Sequence, residues 1–166
     1  MKKNIIIIVL AVVAAAAVAI SWTQKQTLDQ RQQEIHERGT LVMPFDLDKT
    51  THVFNQTDAG GIQQVRAKDP NDTEQIQLIQ QHLRAEADRF SQGDFGDPQT
   101  LHGESMPGLD VLTTQADELE VEYKELEDGA QISYLSDNPE VLNAIHLWFM
   151  AQLTDHGTDA QPHLAQ

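Results

Sequence analysis

Thr51-His-Val-Phe54, then Asp58-Ala-Gly-Gly61, then Ile62-Gln-Gln-Val-Arg-Ala67 sets the architecture of this chain, because it reads as two short strands closed into a hairpin by a glycine-containing loop. A helix follows. Asp69-Pro-Asn-Asp-Thr-Glu74 offers Asn71 as its cap, with Glu74 three residues on as the return acceptor of a capping box. The apolar positions Ile76, Ile79, Leu83, Ala87 and Phe90 then fall at intervals of three and four, on one helical face.

The same order recurs in the last third. Leu119-Glu-Val-Glu-Tyr123 alternates, Asp128-Gly129 turns, Gln131-Ile-Ser-Tyr-Leu135 returns, and Asp137-Asn-Pro-Glu140 opens a second helix with Pro139 in its first turn, where a missing N–H costs nothing. That helix, Val141 to about Thr154, is apolar around most of its circumference and is expected to be the most buried element. The chain therefore looks like an internal repeat. The expected fold is α+β: two ββα halves forming a four-strand antiparallel sheet with both long helices on one face. Between the halves, residues 91–116 carry several glycines and prolines. Phe95, Leu101, Met106, Leu109, Val111 and Leu112 supply apolar anchors, so an ordered, packed connector with a helical turn near Gly108 to Leu112 is expected.

Upstream lies an uninterrupted apolar run, Ile5 to Ile20, preceded by Lys2 and Lys3 and followed by Trp22. Two readings compete over residues 1–22. One is a signal peptide with Ala17-Val-Ala19 as a small-x-small cleavage site; the other is an uncleaved signal anchor. The lack of Gly or Pro and the interfacial Trp22 favour the anchor. In both, the paired lysines stay cytoplasmic and the rest lies outside, membrane-anchored by a single pass or, if cleaved, periplasmic or secreted. Residues 23–39, Gln-rich with only Leu28 and Ile35 a heptad apart, read as a solvated helical stalk ending at Gly39. The domain is expected over 40–157 and a loose tail over 158–166. The chain of 166 residues has a formal net charge of −15, and nine of its 11 basic residues face all 26 acids from Thr23 onward. That balance disfavours nucleic acid and anionic lipid as partners. The absence of cysteine excludes disulfides, thiolate catalysis and cysteine-ligated clusters.

In a chain without thiols, the histidines are the obvious transition-metal ligands. His52 shares a strand face with Phe54, His82 flanks the apolar stripe of the first helix, and His102 lies in the connector four residues before Met106. Imidazole with thioether is a donor set suited to copper. His146 and Met150, at i and i+4 on the second helix, form a further pair more in keeping with packing. No H-E-x-x-H or G-x-S-x-G pattern occurs, so zinc-hydrolase and serine-nucleophile chemistry have no motif. Phe45-Asp-Leu-Asp-Lys-Thr50 resembles the D-x-D-x-T loop of haloacid dehalogenase-like phosphatases. A strand hairpin follows it instead of the required helix, so Asp46 and Asp48 read as turn chemistry. From Asp110 to Glu140, ten acids face one basic residue, Lys124; Glu120 and Glu122 read as the solvent side of a strand, or as a docking face for a basic protein partner.

Met43-Pro-Phe-Asp-Leu-Asp-Lys-Thr-Thr-His-Val-Phe54, Gln75 to Arg84, Gly93-Asp-Phe-Gly-Asp-Pro98, His102-Gly-Glu-Ser-Met-Pro-Gly-Leu109 and Asp155-His-Gly157 resemble a group of small bacterial proteins often labelled aspartate carbamoyltransferase. The likeness spans roughly Gly39 to Gly157. The transferase of that name is a two-domain α/β enzyme about twice this length, holding carbamoyl phosphate with an S-T-R-T loop that this chain lacks. What the resemblance implies is therefore a set of positions, His52, His82, His102 and Met106, and no activity. The leading expectation is a transition-metal site on these four residues, copper before zinc or haem iron, with binding that weakens below about pH 6 as free imidazole (pKa ~6.5) protonates. The alternative is a metal-free binding or sensor module that docks a partner through the connector and the acidic face.

Overall fold

The computed structural model describes residues 2–163. The chain begins with α1 (Lys2–Val42), one continuous helix whose 41 residues rise about 60 Å. Then come β1 (Thr50–Thr57), β2 (Gly60–Ala67), α2 (Thr73–Phe90), α3 (Gly96–His102), α4 (Leu109–Thr114), β3 (Glu120–Leu126), β4 (Gly129–Leu135), α5 (Pro139–His156) and β5 (Ala160–Gln161). The fold is α+β, as expected, but the sheet has five strands and is mixed, in the order β3-β4-β2-β1-β5. The β1–β2, β2–β4 and β3–β4 pairs are antiparallel; β5 joins β1 in parallel. The expected four-strand antiparallel sheet missed β5, which lies in the segment expected to be loose. Two residues are too short to show a period.

In the register, His52 stands opposite Val65 and Val65 opposite Ala130, while Phe54, Gln63, Ile132 and Tyr123 form the next row. Side chains alternate along a strand, so these residues share one face. Both long helices cover it. From α2, Phe90 lies 6.2 Å from the Tyr134 ring, and the Tyr123 hydroxyl donates to the Gln80 carbonyl. From α5, Phe149 meets Phe54 at 5.3 Å and Tyr134 at 5.7 Å, edge to face. Gly61 permits this approach, since a Cβ there would sit 2.5 Å from the Phe149 ring. The other face is polar, with Gln64 bonded to Gln131 and Arg66 paired with Asp128. Glu120 and Glu122 are exposed, as their alternation implied.

Local corrections follow from who accepts which hydrogen bond. The cap of α2 is Asp72, whose carboxylate accepts from the Gln75 N–H, and not Asn71. That shift puts Gln75 where the box acceptor would stand, and Gln75 instead accepts from the Asp46 N–H at 2.7 Å. Asp46 itself accepts from the Asp48 N–H, the turn role its sequence suggested. Gly39 does not end α1, which runs on to Val42; a Cβ at Gly39 would lie 2.7 Å from Leu47, so the glycine serves packing. Nor is the stalk solvated throughout. Ile35 is buried against the domain, and the α1 segment around it docks on α3 and α5. The connector is ordered, holding α3 as well as the expected turn α4, and Phe95, Leu101, Met106, Leu109 and Leu112 are all buried. The described apolar side chains of the leader, Ile6 to Trp22 among them, are exposed, and α1 is long and apolar enough to cross a membrane.

Candidate functional site

A cavity of about 50 Å³ opens beneath β1, where the ends of three helices meet the sheet. Strand alternation turns His52 inward beside Phe54. The last residue of α3 delivers His102, the last turn of α5 delivers Gln152 and His156, and α2 contributes His82 from its flank. All five line the cavity, with Trp148 beside them. The His52 and His156 rings stack at 5.2 Å and 13°, and His102 meets His156 edge-on at 5.1 Å.

His102 is held by Asp155, whose Oδ2 lies 2.8 Å from its Nδ1. Burial acts to raise the Asp155 carboxyl, but hydrogen bonds from His102 and Arg31 outweigh it and bring the pKa down to about 2. An ionised carboxylate only accepts, so Nδ1 carries the proton and donates. In the neutral ring this leaves Nε2 as a lone pair. Four buried side-chain atoms have no hydrogen-bond partner among the described residues: His52 Nδ1, His102 Nε2, Trp148 Nε1 and Gln152 Oε1. All four belong to residues in the wall of this one cavity. Leaving such a group unmatched costs about 1–3 kcal/mol, so their concentration at one place points to a polar occupant.

Burial keeps His52, His82 and His156 neutral. It pushes His52 and His82 down to about 4, with the Asp97 and Arg89 charges opposing one another at His82, and sends His156 well below the ordinary range. Neutral imidazole is the form a metal needs. At the mouth of the cavity, one ligand atom each from His82, Glu86 and Asp97 lies within 4.8 Å of the others. Arg89 spans the two carboxylates, 2.6 Å from Asp97 and also bonded to Glu86, so a cation already serves that group.

His52, His82 and His102 thus face one cavity. They do not converge on a common point, since among the described residues the one group of three or more such side chains within that spacing is His82, Glu86 and Asp97. Met106 packs in the hydrophobic core and is not in the cavity wall. His146 places its Nε2 3.0 Å from the carbonyls of Thr57 and Gly60, bracing the β1–β2 turn, and Met150 is exposed. Sequence reasoning missed His156, Gln152, Asp155 and Arg31. Asp155-His156 stood in one of the quoted resemblance segments, and His82 with Glu86 shows the i, i+4 spacing of one helical face. Gln152, four residues after Trp148 on the expected second helix, falls on its buried face, a signal the periodicity carried; nothing in sequence marked Arg31. No family model matches the chain, and no curated protein or solved structure matches it.

Proposed function

We propose that the chain is an exported, membrane-tethered domain that binds a transition-metal ion through the histidines of this cavity, copper before zinc. The observation that carries the reading is the set of unpartnered buried atoms, two of them imidazole nitrogens, around one small cavity. His52 Nδ1 and His102 Nε2 are the inner donors, and His82 stands at the mouth. The Asp155 contact to His102 is the carboxylate–histidine pairing that usually backs a metal-bound imidazole. With Met106 outside the wall, its thioether drops out, and Met43 is the thioether that lines the cavity. Imidazole nitrogens with a thioether in the wall favour copper, with Zn(II) next. A cavity of about 50 Å³ holds an ion with a water or two and is too small for haem.

The competing reading, a metal-free module docking a partner, rests on the exposed acids between Asp110 and Glu140, Asp117, Glu118, Glu120 and Glu122 among them, since the connector's large apolar residues are buried in the core.

The test is titration of the full chain, purified in mild detergent without an affinity tag, with Cu(II) and Zn(II). One ion per chain is expected, with binding abolished by His52→Ala or His102→Ala and weakened by His82→Ala. Absence of binding by either ion ends the metal reading. Location is tested separately by a reporter domain fused after Gly157, which should be active only outside the cytoplasm.

A further inference from the structure

The apolar leader and the cavity are connected by one helix. Arg31 follows Trp22 by nine residues on α1, about 14 Å along the axis. Its guanidinium forks onto Asp155, Nε to Oδ1 at 2.5 Å and Nη2 to Oδ2 at 2.6 Å, and Nη2 also reaches the His102 carbonyl at 3.2 Å. Asp155 Oδ2 is the same oxygen that receives His102 Nδ1. Around this pair, α1 grips both segments that deliver the site. Arg38 donates to the Leu101 carbonyl and Gln32 to the Thr154 carbonyl, while His36 Nδ1 lies 2.9 Å from Asp159. Gly157 lets α1 and the end of α5 close on each other, since a Cβ there would lie 2.6 Å from the Gln32 side chain.

We infer that Arg31 is a positioning residue for the site: acting through Asp155, it holds His102 as the Nδ1–H tautomer with Nε2 presented to the cavity. The inference rests on the metal reading for its purpose but not for its geometry. The Asp155 side chain is 7% exposed, and the Arg31 fork fixes both of its oxygens. Without that fork the carboxylate is free to turn away from His102. His102 Nδ1–H then loses its acceptor, and the proton is free to sit on Nε2, where it blocks the donor atom. The consequence is reciprocal. An ion that needs His102 Nε2 favours the docked position of α1, and a displacement of α1 weakens the ion.

The experiment uses the full chain in detergent, free of metal, with ¹⁵N-labelled histidine at pH 8, where long-range ¹H–¹⁵N spectra distinguish the two neutral tautomers. His102, assigned by its loss in His102→Ala, should be the Nδ1–H form. In Arg31→Met it should become mixed or Nε2–H, and Zn(II) affinity should fall by about tenfold or more, the usual effect of losing support behind a ligand. Arg31→Lys, which keeps the charge without the fork, should restore part of both, and it carries the same test if Arg31→Met does not fold. An unchanged tautomer in the folded Arg31 variants overturns the inference, whatever the metal affinity. A tautomer that shifts in a protein that binds neither Cu(II) nor Zn(II) keeps the positioning role and ends the metal reading instead.

Discussion

Beneath β4 the space between sheet and helices is filled by packed rings, with Trp148 Nε1 the unmatched atom among them: Trp148 stands edge-on to Tyr134 at 5.2 Å and Phe95 at 5.6 Å, and Phe90 stacks on Phe95 at 4.6 Å. The one phenol there, Tyr134, donates to Gln63 at 2.7 Å. Beneath β1 the rings are as close and as buried, but they are His52, His102 and His156, and their nitrogens are only partly matched. The two ends use flat side chains of similar size under the same sheet face. The first gains chiefly from apolar burial and ring geometry. The second gives up some of that gain to hold nitrogen lone pairs in a dry space, which is the expected pattern where function overrides packing.

Acid should separate the two ends most strongly. His52 and His82 titrate near 4 in the folded protein and near 6.5 when unfolded, so between those values the unfolded chain binds protons that the folded chain refuses. Stability of the metal-free protein should therefore fall as pH drops from about 6.5 and level off below about 4, by on the order of 3 kcal/mol for each ring. His156 acts in the same direction. Asp155 lies largely below this window, because its depressed carboxyl gives up its contribution as pH falls from about 4 toward 2. Urea midpoints at pH 7.5, 5.5 and 4.5 measure the slope. A midpoint that stays flat over that range would mean these rings are not buried as described.

One substitution at each end sharpens the contrast. Phe149→Ala, at a fully buried ring between Phe54 and Tyr134, should cost about 3–5 kcal/mol. His52→Leu removes an equally buried ring, yet it also removes an unmatched nitrogen, so metal-free stability should be unchanged or up to about 1 kcal/mol higher, with metal binding lost. Chemical denaturation of both variants reads this directly. If His52→Leu destabilised the metal-free protein as much as Phe149→Ala, the histidine end would be ordinary core.

The aromatic end was legible in sequence because its residues obey a period: Ile76, Ile79, Leu83, Ala87 and Phe90 are all buried, as their spacing implied. The inward position of His52 was legible for the same reason, through its strand face with Phe54. The rest of the site was not. Asp155 and His156 continue the buried face of α5 with polar side chains, so no apolar pattern marks them, and Asp155 finds its partner on α1, more than a hundred residues upstream. Arg31 sits in a stretch whose composition reads as solvated. A side chain that is polar, half-exposed and paired only across such a distance leaves no local pattern.

The smallest expected effect is a control on all of these. Asp72 caps α2 through the Gln75 N–H, and Asp72→Ala should cost about 1 kcal/mol. Asp72→Asn keeps an accepting oxygen and loses only the long contact to Lys49 at 3.4 Å, so it should stay within a few tenths of the parent. Asn71→Ala should do little, because the Asn71 backbone keeps its bonds to Thr73 and Asp69 and its side chain reaches only Asp69. Since α2 spans both ends, from Gln75 past His82 to Phe90, a weaker cap loosens them together. Metal affinity in Asp72→Ala should then match the parent at pH 7.5, where the folded state still dominates. A tenfold loss of affinity in that variant would show that the cavity answers to global stability, and the distinction drawn between the two ends would fail.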